Sequence, residues 1–442
     1  MSDPCKITAT EAAVRMASGE LTSVQLVESC LERIRARDGE VGAWAHLDAD
    51  MALNAARIAD ATERKSPFHG IPFGVKDIID TADLPTECGT PIRTGRRPAE
   101  DAACVARMKA AGAVMMGKTV TTEYALYHPG KTRNPRNLAH TPGGSSSGSA
   151  AAVADSMVPV AFGSQTSGSV IRPAAFCGIC AFKPTRGITD ISGMLQLEPD
   201  FDTLGYLGRD FDDLATFFAI VHDRTPRPLD DGIGRKPRIG LCRTPMWPHA
   251  EQASIDAVEG AAEQLRSLGA DVREVRLPSS FDGLLETHAT ILKAALTRSL
   301  DEDYRHHRDR MSPVLRGMIE AGFAVPEDQE KALRTRAEAC RASINHAFDD
   351  RDAFLCPSVV GEAPEGISAT GSPVFQAMWT LLNVPIAGIP GAVGPAGLPV
   401  GIHLVGRRGD DETILRLGKW FHTRRIADSL SANGRRHASQ RN

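Results

Sequence analysis

The chain has 442 residues, 42% of them hydrophobic and 24% charged, a balance that can bury a sizeable core and excludes a disordered, collagenous or coiled-coil protein. Lys and Arg total 51 against 55 Asp and Glu, a formal charge of -4, and aromatic residues make up 5%. So even a charge balance, with so few stacking rings, argues against nucleic acid or anionic lipid as a partner.

Residues 1 to about 65 read as an N-terminal helical segment packed on the core. Thr8 with Glu11 and Thr22 with Gln25 have capping-box spacing, and Leu26, Cys30 and Ile34 share a helical face. The first sixteen residues are too charged for a signal peptide. From Gly70 the period becomes two: Ile71, Phe73 and Val75 alternate with Pro72, Gly74 and Lys76, predicting a strand with one strongly apolar face. A helix over 101–111 stopped by Gly112 and a short buried strand over 114–116 follow. Ala150 to Ala154 predict a helix, and Met157 to Phe162 a strand.

Further on come a strand over 238–241, a helix over 254–267, a strand over 272–277 and a charged helical stretch over 281–350. A strand over 353–357, a helix over 375–382, strands around Ile386 and Val400, and a helix over 411–422 close the series. Such alternation indicates an α/β fold. It makes 66–423 one core and leaves 424–442, with Arg424, Arg425, Arg435, Arg436 and Arg441, as a solvated basic tail. No stretch approaches ~18 uninterrupted apolar residues, so no membrane span is expected. The nine cysteines, odd in number and scattered, fit reduced thiols in a cytoplasm. Cys177 and Cys180, embedded in AAFCGICAF, predict packed core thiols, since no second pair completes a zinc site.

The segment 141–187 is the compositional oddity. Gly143-Gly144-Ser145-Ser146-Ser147-Gly148-Ser149 and Gly163-Ser164-Gln165-Thr166-Ser167-Gly168-Ser169 flank the predicted helix and strand. A short helix followed by an antiparallel strand returns the chain to its starting end, so the two loops meet in space. Their free amides suit an anion, and their hydroxyls lie within reach of one another. A hydroxyl nucleophile needs a base. None of the 13 histidines lies in either loop, and His140 is the nearest; the other candidate is a lysine kept neutral by burial. Lys76 projects from an apolar strand, with Asp77 pointing to the opposite face.

The strand GVKD, the run TPGGSSSGSAAAVA and the loop ending SGSVIRPAAFCG together resemble the amidase signature family of Ser-cisSer-Lys hydrolases. Stretches 201–215, 352–358 and 396–406 also look like landmarks of that family. The resemblance implies a single α/β domain whose central mixed sheet is covered by helices on both faces. It implies a base at Lys76, a bridging serine at Ser145 and a nucleophile at Ser169. The implied activity is cleavage of a small carboxylic amide through a seryl acyl-enzyme, with no metal and no organic cofactor. Ser145 would shuttle the proton from Ser169 to Lys76 and hand it to the leaving amine. Lowering a lysine from pKa ~10.4 costs ~1.36 kcal/mol per unit, which burial supplies. Backbone amides of Thr166, Ser167, Gly168 and Ser169 would hold the oxyanion, each donor worth ~3 kcal/mol.

The chain departs from the family loop at three points. Gln165 stands where an acid is common, and Ser167-Gly168 stands where two glycines are common. Ile171 occupies the usual arginine position, with Arg172 one residue later. In a helix one residue is a rotation of ~100°, so Arg172 either turns toward the pocket to grip a substrate carboxylate or pairs with a buried acid. Phe375, Met378 and Trp379 line an acyl pocket or join the core. Two alternatives stay open: an ammonia-releasing subunit of an amidotransferase, and a Ser-His-Asp esterase using Ser146, because Gly144-Ser145-Ser146-Ser147-Gly148 matches a nucleophile elbow. Homodimer formation is also left open.

Overall fold

Strands of this chain are short, β-branched or apolar, and set between helices, and they assemble side by side into one sheet. The computed structural model describes residues 3–439, the side chains of 427–439 excepted. Eleven strands appear: β1 (Trp44–Leu47), β2 (Pro72–Lys76), β3 (Val114–Thr119), β4 (Val160–Gln165), β5 (Cys180–Lys183) and β6 (Thr203–Gly208), then β7 (Arg238–Cys242), β8 (Asp271–Val275), β9 (Ala353–Pro357), β10 (Ile386–Val393) and β11 (Pro399–Val405). Their order is β1-β3-β2-β4-β6-β5-β10-β11-β9-β7-β8. β2 runs parallel to β3 and β4, and β7 parallel to β8 and β9; the remaining pairs are antiparallel. The sheet is therefore mixed, as the α/β reading expects.

β2 is buried along its whole length, not on one face alone. The Phe73 and Val75 side meets Phe162, whose ring lies 4.4 Å from Phe217 of the helix Phe211–Val221. The other side carries the helix Ser147–Ala154, where Ser149 bonds Thr119 at 2.6 Å and the Phe162 carbonyl at 2.8 Å. Parallel strands covered on both faces have no wet side.

Thr22 and Gln25 form the full capping box of the helix Ser23–Val41, and Thr8 caps Ala9–Ala17. The N-terminal segment is not purely helical: β1 lies within it and pairs antiparallel with β3 at the sheet edge. β5 and β6 have no counterpart among the predicted strands, and β4 begins three residues later than expected and runs to Gln165. Cys177 closes the helix Ile171–Cys177 and Cys180 opens β5, both thiols buried. The stretch 281–350 resolves into several helices, the longest Glu327–Ala347. The last helix runs Asp411–Ser439, well past 422. Arg424 pairs with Asp231 at 2.6 Å, while the side chains of Arg435, Arg436 and Arg441 lie outside the described residues.

Candidate active site

Lys76 ends β2, and every position of that strand is enclosed, so its ammonium group is drawn into the sheet rather than to solvent. Its Nζ lies 2.6 Å from Ser145 Oγ, 2.8 Å from Ser164 Oγ and 3.4 Å from the Ser164 carbonyl. Burial pulls its pKa well below the ordinary lysine value. The Asp202 carboxylate opposes that fall and the Arg172 guanidinium adds to it. A neutral amine has two N–H groups and one lone pair. Directing the two donors at the Ser164 oxygens leaves the lone pair for the Ser145 hydroxyl.

Ser145 follows a cis peptide bond from Gly144 and is fully buried. The two glycine-serine loops meet as expected: the Ser146 amide donates to the Ser169 carbonyl at 3.2 Å. Ser169 is 6% exposed, and its hydroxyl makes no hydrogen bond to another described residue. It stands at the loop's end, immediately before Val170 and the helix Ile171–Cys177. The amides of Thr166, Ser167, Gly168 and Ser169 donate to no acceptor among the described residues, which leaves four adjacent donors in the loop.

That loop is held by side chains from distant parts of the chain. Gln165 Oε1 accepts from the Val170 and Ile171 amides at 2.9 and 3.1 Å, closing the loop across its base. Gln165 Nε2 donates to Thr380 Oγ1 at 3.0 Å, and Thr380 spends its own proton on the Ser167 carbonyl at 2.7 Å. An acid at 165 would set a carboxylate against a hydroxyl oxygen whose proton is already used. Thr166 donates to Asp202, whose other oxygen accepts the Leu197 and Glu198 amides. Burial pushes the Asp202 pKa up to about 6. His288 Nε2 donates to the Thr166 carbonyl at 2.8 Å while its ring stacks on Phe201. Burial pulls the His288 pKa down to about 4, so it is neutral at physiological pH.

Arg172 is 2% exposed and forms no ion pair among the described residues. Its Nη2 donates to the Gly144 carbonyl at 2.8 Å and to Thr370 Oγ1 at 3.3 Å, and Nε and Nη1 are enclosed without partners. Trp379 has no exposed surface and lies 6.1 Å from the Phe354 ring, within the main core. Phe375 and Met378 are 2% exposed, Phe375 packing with Met246 and Val374 and Met378 with the main core. Ser146 is buried, and its hydroxyl is engaged with the Ser164 backbone in both directions, at 3.2 and 3.3 Å. His140 is bonded to the Ala363 carbonyl, and among the described residues no histidine is hydrogen-bonded to Ser146. Ser164, Asp202, His288 and Thr380 are site residues that the sequence does not single out. Ser164 sits inside a loop that its composition marks, and Asp202 falls in the landmark stretch 201–215; His288 and Thr380 carry no local signal, since they reach the loop from 122 to 215 residues away.

Comparison with known proteins places the chain in a family. The family model described as Amidase matches residues 25–415, and the chain belongs to the amidase signature family. It is similar to a glutamyl-tRNA(Gln) amidotransferase subunit of Anaeromyxobacter sp. (strain K), 33% identical across 94% of this chain and 95% of that protein. The corresponding protein of Roseiflexus sp. (strain RS-1) is also 33% identical, across 96% and 97%. Among solved structures, an amidase superposes with a TM-score of 0.87 at 30% identity, over 95% of this chain and 100% of that one. The native peptide amidase of Stenotrophomonas maltophilia superposes with a TM-score of 0.79 at 29% identity, over 95% and 97%. The protein is an enzyme of this family.

Proposed function

We propose that the enzyme hydrolyses the carbon–nitrogen bond of a small carboxylic amide. Ser169 Oγ attacks the carbonyl carbon. Its proton passes to Ser145 Oγ as Ser145 gives its own to the Lys76 lone pair. The oxyanion is met by amides among Thr166, Ser167, Gly168 and Ser169. When the tetrahedral intermediate collapses, the C–N bond breaks and the leaving nitrogen takes the proton back through Ser145. Water then attacks the seryl ester along the same path and releases the carboxylate. The observation that carries the reading is the 2.6 Å contact from an enclosed lysine, flanked by hydroxyls and no paired carboxylate, to Ser145. A cytoplasmic location belongs to the same proposal, supported by nine unpaired, buried cysteines.

The test is ammonia release over a panel of simple amides, with wild type and Ser169→Ala, alongside a fluorophosphonate probe. Turnover lost in the variant and label on Ser169 support the reading; label on Ser146 with Ser169 free overturns it. The names of the relatives favour a second reading, an ammonia-releasing component of an amidotransferase that works with partner chains. Amide hydrolysis seen only after such a partner is added supports that second reading over the first.

A further inference from the structure

Arg172 is a charge buried without a counter-charge, a costly arrangement unless something uses it. Desolvation pulls its pKa down to about 10, so it remains a cation at neutral pH. It sits one helical turn beyond Ser169, its own amide bonded to the Gly168 carbonyl at 2.9 Å. Its side chain turns back to the first glycine-serine loop and takes the Gly144 carbonyl at 2.8 Å, with Thr370 Oγ1 as second acceptor. That carbonyl belongs to the peptide that carries Ser145, the residue 2.6 Å from Lys76. One guanidinium thus connects the nucleophile's helix with the bridging serine.

The charged and titratable groups around the pair are few. Asp202, before β6, acts on Lys76 as an attractive charge and Arg172 as a repulsive one; Tyr127 is the titratable group that acts on Arg172. Asp202 already accepts three donors, from Thr166, Leu197 and Glu198, so its charge is spread over other partners. No carboxylate among the described residues neutralises Arg172.

We infer that Arg172 is a positioning residue for the base: it clamps the Gly144 carbonyl so that Ser145 stays on Lys76, and its cation, without a carboxylate of its own, weighs against protonation of that amine. The inference rests on Lys76 being the base of the proposed function. Nε and Nη1 are enclosed and have no free surface to offer a substrate.

The experiment is kcat/KM against pH for wild type, Arg172→Gln and Arg172→Lys, on a neutral amide and on a carboxylate-bearing one, with circular dichroism reporting the fold. Wild type should lose activity on the acid side as Lys76 takes a proton. In Arg172→Gln that limb should move to higher pH by about one unit on both amides, because a like charge that acts on Lys76 is gone. On the acid side kcat/KM then falls about tenfold and returns as the pH is raised. Arg172→Lys should keep the limb in place and lower kcat on both amides, since an ammonium keeps the charge but loses the fork that reaches Gly144. Should the Gln variant fail to fold, the Lys variant decides: an unmoved limb with a shared loss supports the inference, and a limb displaced upward overturns it. A loss confined to the acidic amide, with the limb unmoved, makes Arg172 a reader of substrate charge and overturns it too. A wild-type profile with no acid limb removes the proposed function and the inference with it, whereas a wild-type limb that Arg172→Gln leaves in place removes the inference alone.

Discussion

Two lysines on adjacent strands are both fully enclosed, yet they meet opposite kinds of partner. Lys118 of β3 stands beside Val75 in register, on the sheet face away from Lys76. It bonds Thr86 and the Pro85 carbonyl and pairs with Asp77 at 3.1 Å. Burial draws the Lys118 pKa down and pushes that of Asp77 up, and each charge holds the other against that drift. Lys76 meets hydroxyls instead. Desolvation disfavours the charged form of both lysines, but Lys118 has a carboxylate to hold its proton, whereas the proposed mechanism uses Lys76 as an amine with a free lone pair. Asp77 follows Lys76 directly in sequence, but strand alternation sends it to the other face, where it serves Lys118. What separates the two buried lysines is the partner each meets, hydroxyls for Lys76 and a carboxylate for Lys118, not the depth of burial.

Exchanging the two lysines for alanine separates rate from stability and gives the largest effects. Lys76→Ala and Ser145→Ala should each cost at least about a thousandfold in kcat, non-additively, because they share one proton path. Their folds should persist in circular dichroism. Lys118→Ala should instead lower stability by about 3–5 kcal/mol, since it strands the Asp77 carboxylate in the interior. Denaturant titration checks this, and a Lys118 variant as stable as wild type breaks the contrast.

The pH dependence of stability sharpens it. Lys76 has a depressed pKa in the folded enzyme, so the unfolded chain carries the extra proton between that value and about 10.4, and stability rises with pH across the window. Lys76→Met should therefore melt above wild type at neutral pH, the gain shrinking as pH approaches 10. A variant that melts below wild type at pH 7 argues against an unpaired buried amine.

Smaller effects should come from the groups that hold the loop. Gln165→Glu removes the donor to Thr380 while leaving the acceptor for Val170 and Ile171. It should cost about 1–3 kcal/mol of stability and about tenfold in kcat. Adding Thr380→Val should recover part of that loss, a coupling measured by a double-mutant cycle. Ser167→Ala should stay within about twofold of wild type, because its hydroxyl has only the 3.4 Å contact with His288.

How much of the fold and site is legible in the sequence depends on how local the signal is. Alternation around Phe73 and Val75 places Lys76 on a strand, and the helix and strand between the loops bring Ser145 and Ser169 to one end of the molecule. The same alternation suggests one apolar face and is wrong there, because Pro72, Gly74 and Lys76 look wet until β3, β4 and the helix Ser147–Ala154 cover them. β1 and β5 are only four residues long and β6 only six, so their strand character follows from pairing rather than from composition. The expected acidic partner of Arg172 does not occur among the described residues, and nothing local to Ile171-Arg172-Pro173 announces that its side chain doubles back to Gly144.

By itself the sequence determined the α/β class, which hydroxyls and which amine are candidates, and the meeting of the two loops, since residue type, period and element length are local quantities. Tertiary structure alone decided which charges face which. Desolvation and Coulomb interaction depend on everything packed around a group, and for Lys76 that surrounding is assembled from Ser145, Ser164, Arg172 and Asp202. The same holds for the loop at Ser167, whose shape depends on Thr380 and His288. Only folding brings those side chains within hydrogen-bonding distance.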